Sequence, residues 1–126
     1  MWHPPLVRTE YQLVFQFPER AFPTRDEIVA FEDRLRASLP RTCEVDGFDV
    51  GSGTVNFSVG SAGSAADFFV YTSAPASAHR AFREHLGTRA IERHLRIAYR
   101  DVDGETFTNL WPRRDPRPFR FAYPPS

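Results

Sequence analysis

The stretch Cys43–Ser61, CEVDGFDVGSGTVNFSVGS, decides how the chain folds. Cys43 and Val45 alternate with Glu44 and Asp46, and then Phe48 and Val50 resume the pattern one residue out of step. Strict alternation marks a strand with one buried face. A slip inside it is absorbed when one strand carries an extra residue, so a β-bulge is expected at Asp46-Gly47. After Gly51-Ser52-Gly53 the alternation returns in Val55, Phe57 and Val59, with Asn56 and Ser58 opposite, which predicts a hairpin turning on those three small residues. The same stretch gathers Glu44, Asp46, Asp49 and the only cysteine, Cys43.

Upstream, Tyr11–Phe17 places Tyr11, Leu13 and Phe15 on one face and Gln12, Val14 and Gln16 on the other, a strand that Pro18 ends. Thr24-Arg25-Asp26-Glu27 fits a capping box. Ile28, Phe31, Leu35 and Leu39 then recur at helical spacing, which predicts a helix over residues 25–38 that Pro40 closes. Downstream, residues 60–67 (GSAGSAAD) are small and read as loop, and residues 68–72 (FFVYT) read as strand. The segment 58–67 therefore looks like an insertion that doubles the strand into a second hairpin or bulges from its edge. Ser73 or Thr72 can cap the next helix, Pro75 suits its first turn, Ala78, Phe82 and Leu86 form its buried stripe, and Gly87 is expected as its left-handed terminus. A short helical turn is expected over 88–93, a strand over 94–102, a turn at Asp103-Gly104, and a last strand over 106–111 that Pro112 stops.

Strand, helix, hairpin, helix and strand in that order predict an α+β fold. Its expected form is a ferredoxin-like sandwich (βαββαβ) with both helices on one face of an antiparallel sheet and an added C-terminal strand. Residues 1–112 form one domain on this reading. Residues 113–126, rich in Pro and Arg, form an extended tail, free or packed on the domain. The second sheet face is left to solvent, a partner or the tail.

The segments VDGFDVGSG (45–53), FFVYTSAP (68–75) and AYRDVDGETFTNLWP (98–112) resemble a group of small, uncharacterised bacterial ferredoxin-like α+β proteins. The shared pattern is an Asp-Gly turn with Gly-x-Gly, a strand running into a Pro-led helix start, and a terminal hairpin closing on Trp-Pro. The resemblance covers about residues 43–112, and segment 58–67 departs from it. It implies a fold and no activity. Similar small domains recur among immunity-type proteins that block a toxin, which is an analogy of fold.

Composition narrows the chemistry. The chain has 126 residues with formal net charge zero, and all sixteen basic residues are Arg. Without lysine, Schiff-base chemistry and a Walker-type phosphate lysine are excluded. Charge is uneven: residues 1–60 carry six Arg against nine acids, and residues 112–126 carry four Arg against Asp115. A nucleic-acid footprint over the whole domain is disfavoured. One cysteine makes no internal disulfide, and no apolar run approaches the roughly 18 residues of a membrane span, so a reducing cytoplasm is the default location and a membrane partner is not expected.

No candidate site is diagnostic. Glu44, Asp46 and Asp49 with Asp101, Asp103 and Glu105 could offer oxygens to a hard cation, but turn chemistry accounts for both Asp-Gly pairs. His79 and His85 are six apart on a helix and share no face, and His3 and His94 stand alone, so no metal and no cofactor is expected. Cys43 reads as a small buried hydrophobe rather than a nucleophile. Arg96 and Arg100 share a face of their strand and face acids such as Asp49 across the sheet, as ion pairs or as an anion site. The surface residues singled out for binding are Asp49, Arg96, Arg100 and Trp111; none is read as catalytic. The expected function is a non-enzymatic interaction domain that binds another protein, or itself as a homodimer through the open sheet face, with an immunity-type inhibitor as its most specific form. The alternative is a dimeric α+β barrel, a small-molecule binder or enzyme in which two sheets enclose a pocket containing His94 or Arg100. RNA binding on the sheet lacks the motif and the basic face.

Overall fold

Alternation in Tyr11–Pro18 produces a strand that is buried on both sides, and the rest of the chain is laid out from it. The computed structural model describes residues 10–22, 24–56, 62–87, 95–113 and 118–119. Its elements are β1 (Tyr11–Pro18), a single 3-10 turn (Glu19–Ala21), α1 (Arg25–Ser38), β2 (Cys43–Asn56), β3 (Ala62–Thr72), α2 (Pro75–His85), β4 (Arg96–Asp101) and β5 (Thr108–Trp111). The strands form one sheet in the order β2-β3-β1-β4-β5 with every neighbouring pair antiparallel. With two helices, the fold is α+β. The expected helical turn over 88–93 lies outside the described residues.

One face of the sheet carries the core. Leu13, Phe15 and Phe17 of β1, Phe68 and Val70 of β3 and Ile97 of β4 pack against Ile28, Phe31 and Leu35 of α1 and Ala78 and Phe82 of α2. Phe68 is the hub. Its ring centroid lies 5.9 Å from Phe17, 5.6 Å from Phe22, 5.1 Å from Phe31 and 5.8 Å from Phe48. Mostly tilted and edge-on contacts of this kind satisfy the ring quadrupoles while filling volume.

The helix ends follow from short polar side chains. The Thr24 hydroxyl accepts a hydrogen bond from the Glu27 amide at 3.3 Å, the Thr half of the capping box. At α2 the Thr72 hydroxyl accepts from the Ala74 amide at 3.0 Å, and Pro75 occupies the first turn. Gly87 departs from expectation. It is not in the left-handed region; the amides of Leu86 and Gly87 both donate to the Phe82 carbonyl, at 2.8 and 2.9 Å, and close the helix without it.

β2 confirms one expectation and overturns two. Val45 pairs with Val70 and Phe48 with Phe68, three steps against two, so one extra residue sits between them. Gly47 occupies it with φ of 104°, which is the expected bulge. The turn at Gly51-Ser52-Gly53 is absent: β2 continues through those residues to Asn56, and a second register shift falls between Gly51 and Val55. Nor are residues 62–67 the loop that their small side chains suggested. Ala62–Asp67 belongs to β3, flanked by β2 on one side and, from Ala65, by β1 on the other; residues 57–61 lie outside the described residues. The run AGSAAD has no aromatic or β-branched residue and so no strand propensity of its own. Its conformation comes from being sandwiched: Ala65 and Ala66 are fully buried, paired with Pro18 and Phe17.

Candidate functional site

The second face of the sheet is polar, and the register arranges it in rows. Asp49, Asp67, Gln16 and Arg96 follow one another across β2, β3, β1 and β4, and Glu44, Tyr71, Gln12 and Arg100 form a parallel row. Gln16 donates from Nε2 to Asp67 Oδ1 at 2.9 Å, both side chains being fully buried. Arg100 donates from Nε to Gln12 Oε1 at 2.9 Å, and Gln12 donates to the Tyr71 hydroxyl at 3.4 Å. The two rows are thus tied internally by side-chain hydrogen bonds, which is how buried polar groups are made tolerable.

Between the rows lies a small apolar strip, and Phe119 sits on it. Phe119 is 7% exposed and packs with Val14 and Ala98. Its ring centroid is 4.8 Å from that of Phe107, and the Arg96 guanidinium carbon lies 5.5 Å from the Phe119 ring centre. The Arg100 guanidinium lies 5.0 Å from the Phe107 ring centre.

The four residues singled out from sequence therefore separate. Arg96 and Arg100 do share one face, as expected, but Arg96 is 2% exposed beneath Phe119. Asp49 is exposed and stands in the row of Arg96 with β3 and β1 between them, about 14 Å away at ordinary strand spacing. Asp49 and Arg96 do not pair. Trp111 lies elsewhere, packed against the helix-side core next to α2.

Trp111 leads to the second candidate. A groove of about 700 Å³ runs between α2 and β5, lined by Ala76, His79, Arg80, Arg83 and Glu84 from the helix and by Asn109, Leu110 and Arg113 from β5 and the residues after it. The Arg83 guanidinium lies over the Trp111 ring at 4.6 Å, and the His79 ring is edge-on to Trp111 at 6.0 Å. Arg83 is thereby held by a cation–π contact while it lines the groove. Three guanidinium groups against the single carboxylate of Glu84 make the lining basic. Among the described residues neither Arg80 nor Arg113 makes an ion pair.

The helical periodicity of α2 places Arg80, Arg83 and Glu84 outward, and they are. What periodicity cannot supply is that β5 lies alongside and turns a solvated helix face into one wall of a groove. Asn109, Leu110 and Arg113 carried no signal of their own, and His79 gained a role only from its neighbour Trp111.

Other candidates disperse. Glu44, Asp46 and Asp49 are exposed on β2, whereas Asp101, Asp103 and Glu105 lie at the β4–β5 turn, with β3 and β1 between. Among the described residues no three His, Cys, Asp or Glu side chains converge as metal ligands would. Cys43 is half-buried with Sγ 3.5 Å from the Thr72 hydroxyl, a packing position. No helix among the described residues is long and apolar enough to cross a membrane. Comparison of the chain with protein-family models, with curated proteins and with solved structures finds no match.

Proposed function

We propose that the protein is a ferredoxin-like interaction domain that docks a partner protein in the groove between α2 and β5. The ferredoxin-like reading draws support from the order β2-β3-β1-β4, from α1 and α2 following β1 and β3, and from both helices packing into one core on one sheet face. The interaction reading draws support from one observation above all. The groove combines a concave shape, the apolar side chains of Leu110 and Ala76, and two arginines, Arg80 and Arg113, that make no ion pair among the described residues. Arg and Trp are among the residue types enriched at binding hot spots. The polar second face fits the role less well, because its rows are bonded internally and Phe119 covers its apolar strip. An inhibitor that blocks a toxin is the most specific form of this reading, and it rests on the analogy of fold alone.

The test is positional. A photo-crosslinking amino acid is placed at Ala76, inside the groove, and separately at Val29, which is 40% exposed on α1. Both variants are irradiated in cells of the source organism. A discrete adduct at Ala76 that is absent at Val29, with the cross-linked peptides identified by mass spectrometry, is the expected result. Identical adducts at both positions, or none at Ala76, would overturn the proposal.

A further inference from the structure

We infer that the groove takes an extended acidic segment of the partner, about four residues long, with carboxylates gripped by Arg80 and Arg113. The inference rests on the docking role proposed above and adds the chemistry of what is docked. Its first ground is charge. Arg80 from α2 and Arg113 from the residues after β5 line the same groove, and neither makes an ion pair among the described residues. A guanidinium presents a planar fork of donors that matches a carboxylate two bonds at a time, so two such groups on different walls select an anionic ligand that spans between them.

The second ground is length. The helical wall runs from Ala76 to Glu84, which at 1.5 Å per residue is about 12 Å. An extended chain rises about 3.3 Å per residue, so about four residues lie along that wall. A compact anion such as phosphate does not span a wall of that length. A peptide also supplies side-chain stems to cover Leu110 and Ala76, which an inorganic ion does not.

The third ground separates a polypeptide from a nucleic acid. Single-stranded nucleic acid is held by aromatic platforms under its bases. The Trp111 ring beside the groove already carries Arg83 above it and His79 against its edge, and is otherwise packed on the core. A formal net charge of zero denies the broad basic field that a long phosphodiester chain requires beyond the groove itself.

The probe is hexa-glutamate, titrated into the full chain labelled with ¹⁵N at low ionic strength, with hexa-glutamine and inorganic phosphate as parallel titrations. The expected result is a saturable shift of amides over Ala76–Glu84 and at Asn109 and Leu110 with hexa-glutamate alone. Arg80→Glu combined with Arg113→Glu weakens it at least about tenfold, from two partly exposed charge contacts. Arg41→Glu, on an exposed arginine before β2, leaves it unchanged. Arg80→Gln with Arg113→Gln serves if the charge reversal fails to fold. An equal response to hexa-glutamine, saturation by phosphate at the same concentrations, shifts that map away from the groove, or no response each overturns the acidic-segment inference. An adduct at Ala76 with no response to hexa-glutamate leaves the docking role standing and removes only the ligand chemistry.

Discussion

On the helix side of the sheet, Phe17, Phe22, Phe31, Phe48 and Phe68 touch ring to ring, while on the other side the same strands present Gln12, Gln16, Asp67, Arg96 and Arg100 tied by hydrogen bonds and cation–π contacts. Both faces are covered. The first is covered by helices whose apolar stripes were specified by local periodicity, the second in part by Phe119, brought from far along the chain. Burial without directionality builds the first face, and its rings can be exchanged for others of similar volume. Directional bonds build the second, and each of its members depends on a named partner. One face is a source of stability and the other a source of specificity in how Phe119 is seated.

The sharpest break in that comparison comes from Phe68. Removing its ring takes away four aromatic neighbours and leaves a cavity at the centre of the helix-side core. Phe68→Ala is expected to lose about 3–5 kcal/mol of folding stability, measured by urea or thermal unfolding. A loss below about 1 kcal/mol would mean that the cluster is not the organising core.

Phe119→Ala probes the other face. Its ring is almost fully buried, and among the described residues its apolar neighbours are Val14, Ala98, Phe69 and Phe107. Burial of one such side chain is worth about 2 kcal/mol. The expected loss is therefore about half that of Phe68→Ala, accompanied by faster amide exchange at Val14 and Ala98 and no change at Leu35. If the two substitutions cost the same, the second face is a core in its own right and the contrast between faces fails.

The parts of this arrangement that could be read from sequence are those set by near neighbours in the chain. Ile28, Phe31 and Leu35 declare α1 because helical contacts recur every three to four residues, and Thr24 declares its start. Leu13, Phe15 and Val14 declare the two faces of β1 in the same way. Ala62–Asp67 could not be read, because its strand conformation is imposed by β1 and β2 on either side rather than by its own side chains. The separation of Asp49 from Arg96 follows from the strand order, which no local pattern encodes. The groove was illegible for a similar reason. Arg80 and Arg83 read as an ordinary solvated helix face until β5 is placed beside them.

The smallest expected effect concerns the device that sorts β2 between the two faces. Val45 and Phe48 both pack on the helix side while Asp49 falls in the polar row, and this holds only because β2 carries one residue more than β3 across the bulge. Without it, Phe48 would point to the polar face and Asp49 into the core, since a slip of one residue exchanges the faces. Gly47 makes the bulge with φ of 104°. A Cβ placed there would meet nothing closer than Glu32 Oε2 at 3.9 Å, so space is not the constraint. What remains is the backbone conformation, which an L side chain adopts at a cost of about 1–2 kcal/mol. Gly47→Ala is expected to lose about that much in urea unfolding while keeping the wild-type amide pattern in β3 and β1. A variant as stable as wild type would show that the bulge does not depend on this glycine. A larger loss with rearranged amide shifts at Phe68 and Asp67 would show that the substitution has moved the register, and that the division of side chains between the two faces hangs on one residue.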